Sequence, residues 1–538
     1  MQMSRRFGCV LFALAALTAA TIASLGTATA RGPSAEAAEG PLTGQAESYA
    51  LSPAVRDLPP AGEEPAAAPS RINPLSDQPD QGQRGTWNRG DVPTDPLIAD
   101  SRSATGRTPL ADLKFNGVAN PVACGACTPP DTNGDVGHNH YIQAVNATKI
   151  AIFAKDGTRR GAPFDLGDLW SSGLCTSNDG DPIVLYDDIN NRYLLSQFAS
   201  PNVLCIAISA TPNPRGSYHL YSFNVGAFPD YFKVGVFRNA YYVSANEATY
   251  TAYAFNRAKM LAGDPTANFV KFTGQTNFLL PADSDGAPFP GTGTGGLFYT
   301  FKDNSFHGGT DRIELFRLNP DFVTPANSTF ALIRRFPIAP FTYTVCGFFN
   351  LNCIRQPGTV QRVDPVSEWP MHRFPYRRFA GGRQTLLGTF TVGGGTGEVG
   401  AAIRWFELRR IPGSPWTLLQ EGTHDPGGVH DRFMGSIAMD QAGNIALGYS
   451  ISSSTLSPSI RYATRTPGDP PGTLQQERTL RAGAGSQTGS NRWGDYSAMA
   501  VDPVTDCQFW YTNEFYNPSS ANQWRTSIGA FTMPGCGA

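Results

Sequence analysis

The feature that most constrains the fold of this chain is a sequence motif of two apolar strands, which is repeated with variations about every fifty to sixty residues. Each copy begins at a turn marked by Asp or Arg, continues through an apolar strand and a short polar turn, and ends in a second apolar strand with aromatics. Clear copies begin at Asp181, Pro229, Arg432 and Gly494. A strand-built repeat of this length indicates a radial or stacked β architecture.

The repeats continue along most of the chain. Units can be placed at 131–170, 179–224, 229–272, 286–338, 369–420, 430–480 and 492–533. In the fourth unit, the first strand is expected in the Gly-rich stretch 291–301. A two-sheet sandwich does not need so many equivalent units, whereas a ring of four-stranded blades does. We therefore predict an all-β fold, a seven-bladed β-propeller with short four-stranded antiparallel blades, whose last blade is completed by a strand at 110–119.

The N-terminal region lies outside the repeats. Residues 1–30 contain a charged start, an apolar run and a small-residue cleavage pattern, which predict a secretory signal peptide. Residues 31–108 are rich in Ala, Pro, Gly, Asp and Ser, so we expect a mostly disordered leader before a propeller domain at 109–538. No later stretch approaches about 18 apolar residues, so no membrane span is predicted. The chain is expected to be secreted, either extracellular or periplasmic.

The amino-acid composition limits the kinds of partner that this protein is expected to bind. The formal net charge of −2 gives no basis for a nucleic-acid surface. Charged residues make up only 16% of the chain, while its 57 glycines and 43 prolines suit many short strands joined by turns.

Eight cysteines follow the signal peptide, and an even number in an exported chain favours disulfides. Many connectivities are open, and the simplest joins sequence neighbours as Cys124–Cys127, Cys175–Cys205, Cys346–Cys353 and Cys507–Cys536. The spacing of the first pair is also that of a redox motif. Two prolines rather than a helix follow it, so we interpret this pair as a structural staple.

The repeat predicts which side chains gather at one rim of the ring, because the first strand of each blade starts there and the second returns to it. Convergent polar groups at such a mouth form a candidate binding site. The alternative is that they brace turns and neighbouring blades. The ligand-binding candidates are Asp181, Asp230, Arg373, Asp431, Arg432 and Trp493.

A carbohydrate-active enzyme is the alternative function for the same rim. A sialidase-like glycosidase or a polysaccharide lyase would need carboxylates with Arg and Tyr, and the chain supplies those residue types. The catalytic candidates are Glu247, Glu514, Asp495, Tyr496 and Arg492. A Gly-x-Ser-x-Gly nucleophile elbow does not occur in the sequence.

A calcium loop is predicted at Asp131, Asn133 and Asp135, whose alternating oxygen ligands are of the kind that Ca²⁺ prefers. The EF-hand pattern is incomplete, because Val136 and Ile142 stand where Gly and Glu would be needed. The alternative is a loop held by Asx turns.

Two end motifs carry a family resemblance. The segment PPDTNGDVG from Pro129 resembles the opening of a group of secreted bacterial β-propeller proteins. WGDYS from Trp493 and DCQFWYT from Asp506 resemble their closing blade. The resemblance covers most of 120–533, and the architecture is also similar to that of the dispase autolysis-inducing protein. It implies a secreted propeller, but because the group is functionally heterogeneous it implies no particular activity.

These observations leave three hypotheses for function. The leading one is a binding or interaction protein whose channel mouth holds a protein or glycan partner. The second is the carbohydrate-active enzyme, and the third is a purely structural extracellular protein.

Overall fold

The computed structural model describes residues 40–58, 95–98, 106–275, 277–346 and 352–537. They belong to one compact unit, Glu39–Ala538. The unit is all-β, as predicted. Within the ranges just given, its α-helices are two short segments, α1 (Arg257–Ala262) and α2 (Asn304–His307). Short 3₁₀ turns occur at Val55–Asp57, Pro96–Ile98, Leu166–Leu169, Leu174–Thr176, Pro325–Asn327 and Ala380–Gly382.

Three strands precede the first complete meander: β1 (Leu42–Gln45), β2 (Ser48–Leu51) and β3 (Leu113–Ala119). Three four-stranded antiparallel meanders then follow in order. Their strands are β4 (Asn133–Val136), β5 (His140–Val145), β6 (Lys149–Ala154) and β7 (Phe164–Asp165); β8 (Gly180–Asp187), β9 (Arg192–Ala199), β10 (Val203–Ser209) and β11 (Tyr218–Asn224); β12 (Asp230–Val236), β13 (Tyr241–Asn246), β14 (Tyr250–Phe255) and β15 (Asn268–Gln275).

The second half of the chain continues the pattern. A parallel pairing of β16 with β20 joins two meanders into one eight-stranded sheet. The strands are β16 (Leu280–Asp285), β17 (Gly296–Lys302), β18 (Arg312–Asn319) and β19 (Thr329–Pro337); β20 (Phe374–Arg378), β21 (Gln384–Val392), β22 (Ala402–Arg410) and β23 (Thr417–His424); β24 (Asp431–Met439), β25 (Ile445–Ser452), β26 (Ser459–Arg465) and β27 (Arg478–Arg481); β28 (Ala498–Val501), β29 (Gln508–Tyr516) and β30 (Trp524–Thr532).

The first strands of successive meanders form a closed cycle of contacts. β4 contacts β8, β8 contacts β12, and β12 contacts β16, which pairs with β20. β20 contacts β24, β24 contacts β28, and β28 returns to β4. These strands are almost wholly buried, which explains why some of them, such as β28 and most of β24, are short apolar runs rather than alternating patterns.

The last sheet is completed by the N-terminal strand β3, which pairs antiparallel with β30. This confirms the prediction that a strand at 110–119 completes the last unit. Aromatic packing joins this sheet to the first meander, where Tyr141 stacks on Trp510 with ring centroids 5.2 Å apart. Each such buried side chain contributes about 1.5–3 kcal/mol of transfer free energy. The first meander and the last sheet therefore pack against each other.

The prediction of disorder for 31–108 is wrong for residues 40–58. β1 pairs antiparallel with β15, and β2 pairs with β11, so each adds a fifth strand to a sheet. The outer edges of β15 and β11 offer backbone groups that a polar, weakly hydrophobic segment can satisfy. A further leader residue, Asp95, is buried. The predicted signal peptide at 1–30 lies outside the described residues.

The fourth unit also differs from its prediction. Its first strand is β16 (Leu280–Asp285), and the Gly-rich stretch contributes β17 (Gly296–Lys302), the second strand. The sequence LPADSD of β16 is short and acidic, so it does not resemble an apolar strand.

The four predicted cysteine pairs are confirmed: Cys124–Cys127, Cys175–Cys205, Cys346–Cys353 and Cys507–Cys536 are all disulfide-bonded. The last one attaches the C-terminal segment to the turn before β29. None of the helices in the described residues combines the length and the hydrophobicity that a membrane span requires.

Candidate functional site

Three carboxylates converge where the first strands of adjacent meanders begin. Asp131 precedes β4, Asp181 is the second residue of β8, and Asp495 precedes β28. One oxygen from each lies within 4.8 Å of the others, and all three residues are buried. Because β28, β4 and β8 are consecutive in the cycle, the cluster is assembled from three different sheets.

The backbone at these positions is unusual for residues with side chains. Asp131 has a φ of 41° and Asp181 a φ of 52°, both in the left-handed region that glycine normally occupies. At Asp181 the pairing of β8 with β9 is interrupted between Gly180 and Ile183. Such irregularities re-aim side chains, and they cluster at functional positions.

Asn146 links two members of the cluster. Its Nδ2 donates a hydrogen bond of 2.6 Å to Asp131 Oδ2, and its Oδ1 accepts one of 3.0 Å from the Asp181 backbone N–H. The Asp495 backbone N–H donates to Asp131 Oδ1 at 3.0 Å. Asp181 Oδ2, in contrast, is buried and finds no hydrogen-bond partner among the residues that the structure describes. An unsatisfied buried carboxylate oxygen is costly unless a further group reaches it.

Two cations lie beside the cluster. The Arg492 guanidinium forms an ion pair with Asp495. Lys233 Nζ donates to the carbonyl oxygens of Tyr231 and Phe232, at 3.2 and 3.0 Å. It also lies 3.4 Å from the centroid of the Tyr231 ring, a cation–π contact. Burial lowers the pKa of Lys233 to about 8, against the opposing effect of the nearby carboxylates.

The electrostatics of the carboxylates indicate a shortage of positive charge. Burial, followed by repulsion from Asp495 and Asp181, raises the pKa of Asp131 well above its usual value. Burial also raises the pKa of Asp181 to about 8, although Lys233 opposes this. Either protons or a bound cation can supply the missing charge.

The calcium loop predicted at Asp131, Asn133 and Asp135 does not form as such, because Asn133 and Asp135 lie in β4. Asn133 Oδ1 accepts the backbone N–H of Val184, and Asp135 Oδ2 accepts that of Tyr186, so both bridge to β8. Only Asp131 of the three joins the carboxylate cluster. The alternating spacing puts Asn133 and Asp135 on one face of a strand rather than around one ion.

The other predicted ligand-binding residues are buried and occupied by neighbours. Arg373 binds the carboxylates of Asp283 and Asp285 in β16. Asp431 Oδ1 accepts the backbone N–H groups of Gly400 and Ala401, each at 3.0 Å. These contacts connect one meander to the next. They agree with the alternative prediction, in which the polar residues of the rim stabilise turns and neighbouring blades rather than bind a ligand.

Three further residues of this set are also buried. Arg432 forms ion pairs with Glu477 and Asp425. Trp493 Nε1 donates to Ser450 Oγ at 3.0 Å. Asp230 begins β12.

The catalytic candidates are likewise buried. Glu514 Oε2 accepts the Thr132 hydroxyl at 2.9 Å, and burial raises its pKa to about 8. Glu247 forms an ion pair with Lys271 at 3.3 Å, and burial raises its pKa. The Tyr496 hydroxyl donates to the Pro182 carbonyl at 3.1 Å. A catalytic role for these residues, and for Asp495 and Arg492, stays a prediction.

Sequence reasoning missed Asn146 and Lys233. Lys233 had a usable signal, because a lysine inside the apolar stretch YFKVGVF is buried with a counter-charge if the stretch is a strand. Asn146 stands at the end of a hairpin, where asparagine is common in turns, so nothing distinguished it.

Comparisons with known proteins add little. No protein-family model matches the chain, and no curated protein matches it in sequence. Similar solved structures include a protein of unknown function from Dyadobacter fermentans (9% identity, 75% of this chain and 94% of that one, TM-score 0.34). Others are an α-L-arabinanase of Penicillium chrysogenum (11%, 57% and 94%, TM-score 0.29) and the WD40 domain of fission-yeast SCAP (10%, 78% and 98%, TM-score 0.32). We draw neither fold nor activity from likenesses this weak.

Proposed function

We propose that this chain is an exported binding protein built as a seven-bladed β-propeller, and that Asp131, Asp181 and Asp495 bind one Ca²⁺ ion at one rim. The proposal rests on a single observation. Three buried carboxylates from three sheets place one oxygen each within 4.8 Å of one another, and among the described residues Asp181 Oδ2 has no hydrogen-bond partner.

The propeller part of the proposal is supported by the cyclic contacts of the first strands. The seven meanders would be the blades, with β28 and β4 closing the ring. In the last blade β3 is the outer strand beside β30, so an N-terminal strand and the last strands of the chain share one blade, which would hold the ring closed.

Calcium is favoured over other ions by the donor set. Carboxylate oxygens are hard ligands, and Ca²⁺ takes six to eight of them in flexible geometry at about 2.4 Å. Two oxygens at that distance from one ion lie at most about 4.8 Å apart, as these do. Mg²⁺ demands a stricter octahedral geometry, and the described cluster offers Zn²⁺ neither imidazole nor thiolate.

The local charge also favours a cation. Lys233 and Arg492 oppose three carboxylates, and two further acidic groups act on the same cations, Asp230 on Lys233 and Asp364 on Arg492. A divalent ion would offset this excess of negative charge and would supply Asp181 Oδ2 with a partner.

The test is thermal unfolding in excess Ca²⁺ and in excess EDTA, with Asp181→Asn as the test variant. Ca²⁺ at about 100 times its dissociation constant should stabilise the wild-type protein by about 2.7 kcal/mol. The Asp181→Asn variant should lose this response. Asp431→Asn is the matched control, because Asp431 also begins a first strand and its replacement keeps an acceptor for the amides that it binds. Equal melting temperatures of the wild-type protein in both solutions would refute the cation.

The protein or glycan partner predicted for this rim stays a prediction. Ca²⁺-dependent retention on a glycan array, lost in Asp181→Asn, would support the glycan. Retention that is unaffected by EDTA would place any glycan binding elsewhere.

A further inference from the structure

A cavity lies between the β5–β6 hairpin and the turn that joins β10 to β11. Its volume is about 620 Å³, which falls in the range of about 300–1,000 Å³ typical of ligand pockets. It uses none of the residues of the carboxylate cluster. Its polar lining consists of Asn139, His140, Arg160, Thr211, Asn213 and Arg215.

The charge of this cavity is positive. No carboxylate lines it, and within the described part of the chain neither Arg160 nor Arg215 takes part in an ion pair. A Cβ placed on Gly161 would lie 3.9 Å from Arg215 Nη2, so the Arg215 guanidinium rests against the residue that follows Arg160. The acidic group that interacts with Arg160, Asp156, is exposed and accepts the Thr158 backbone N–H.

His140 contributes a second observation. Its Nδ1 is buried and has no hydrogen-bond partner in the described part of the chain. Burial, followed by repulsion from Arg160, Arg215 and Lys155, lowers the pKa of its imidazole. Because His140 also lines the cavity, the repulsion of its imidazolium by Arg160 and Arg215 indicates a positive potential there, which would attract an acidic ligand.

We propose that this cavity binds the oxyanion group of a larger ligand, with Arg160 and Arg215 as the charged donors and His140 as a third contact. Guanidinium groups present paired N–H donors that match the oxygens of carboxylate, phosphate and sulfate. The exposed amide of Asn139 and the Nδ2 of Asn213, whose Oδ1 accepts the Arg215 backbone N–H at 3.0 Å, would contact the uncharged remainder. The proposal does not depend on the cation at the rim.

The test is calorimetric titration of the full chain with sulfate, inorganic phosphate, glucuronate and, as a neutral control, glucose. A site with a dissociation constant of about 1 mM is readily saturated by ~10 mM ligand. At least one of the three anions should bind saturably, and glucose should not. Binding of glucuronate alone would assign the site to a carboxylate, and binding of sulfate or phosphate alone would assign it to a tetrahedral oxyanion.

The variant Arg160→Gln with Arg215→Gln should weaken binding of that anion by at least tenfold. The control pair is Arg56→Gln with Arg159→Gln, which removes the same charge from exposed residues that do not line the cavity. The control should bind as the wild-type protein does. An equal loss in both pairs would show general charge attraction and would overturn the proposal.

A measurement on the wild-type protein keeps the proposal testable if the Arg160→Gln, Arg215→Gln chain does not fold. The pKa of His140 can be followed by NMR in sulfate and in chloride of equal ionic strength, with the signal assigned by His140→Gln. Bound sulfate should raise this pKa by about one unit. An unchanged His140 pKa, or no saturable binding of any of the three anions, would refute the site.

Discussion

Replacing Asp95 with Ala should destabilise the protein by about 2–4 kcal/mol, because the buried Arg404 guanidinium would lose one of its partners. Arg404 Nη2 lies 2.8 Å from Asp95 Oδ2, and both side chains are almost inaccessible to solvent. The Thr423 hydroxyl donates to the same oxygen at 2.6 Å. Breaking a buried pair costs about 3–5 kcal/mol. The lower value expected here reflects the remaining contacts of Arg404, at 3.1 Å each, with Glu421 and the Ala339 carbonyl.

Urea unfolding of a double-mutant cycle measures this contribution. Removing both partners, in Asp95→Ala with Arg404→Met, leaves neither Asp95 nor Arg404 as an unpaired buried charge, while Glu421 loses its ion pair with Arg404. The combined loss should therefore be smaller than the sum of the single losses by about 1 kcal/mol or more. Asp57→Ala is the control, since Asp57 is an exposed leader residue and its change should stay within about 0.5 kcal/mol. If Asp95→Ala changes the free energy of unfolding as little as Asp57→Ala does, the claim that Asp95 stabilises the fold through Arg404 is wrong.

Three further predictions concern stability. Burial raises the pKa of Asp135 in the folded state to about 7, so between about pH 4 and 7 the folded chain keeps a proton that the unfolded chain loses. The free energy of unfolding should therefore fall as the pH rises from about 4 to 7, by at most about 1.4 kcal/mol per pH unit. The Asp135→Asn variant should show a flatter pH dependence in urea unfolding. Deleting residues 109–122 removes β3 and should lower the melting temperature seen by circular dichroism; an unchanged value would contradict closure through β30. Cys507→Ser with Cys536→Ser opens a loop of 29 residues and should cost about 4 kcal/mol of unfolding free energy, whereas a loss below about 1 kcal/mol would contradict the staple.

The repeat made much of the fold predictable, because first strands buried on both faces leave apolar runs at a regular spacing. It also predicted two of the three positions from which the carboxylate cluster is assembled, since Asp181 and Asp495 were both placed at strand entries of one rim. The strand β16 was not predicted, because its acidic side chains form ion pairs with a neighbouring meander. Its Asp283 and Asp285 pair with Arg373, and a short acidic strand has no apolar pattern to detect.

The leader strands were missed for a different reason. β1 and β2 lie at outer edges, where backbone pairing supplies most of the contact and the side chains remain largely exposed. The amino-acid composition of the leader therefore resembles that of a disordered segment, although pairing with the edges of β15 and β11 fixes the backbone of β1 and β2. The spacing of Asp131, Asn133 and Asp135 led to the wrong prediction of a calcium loop, because Asn133 and Asp135 lie in the strand β4 and not in a loop.

The cation at the rim is tested most directly by the metal content of the protein itself. The full chain and its Asp181→Asn variant are dialysed together against one solution of Ca²⁺, Mg²⁺ and Mn²⁺, and bound metals are quantified by mass spectrometry. We expect one Ca²⁺ per wild-type chain that the variant lacks, while Asp431→Asn retains it. Equal calcium in the wild-type protein and in Asp181→Asn, or none in either, would contradict a cation held by Asp131, Asp181 and Asp495.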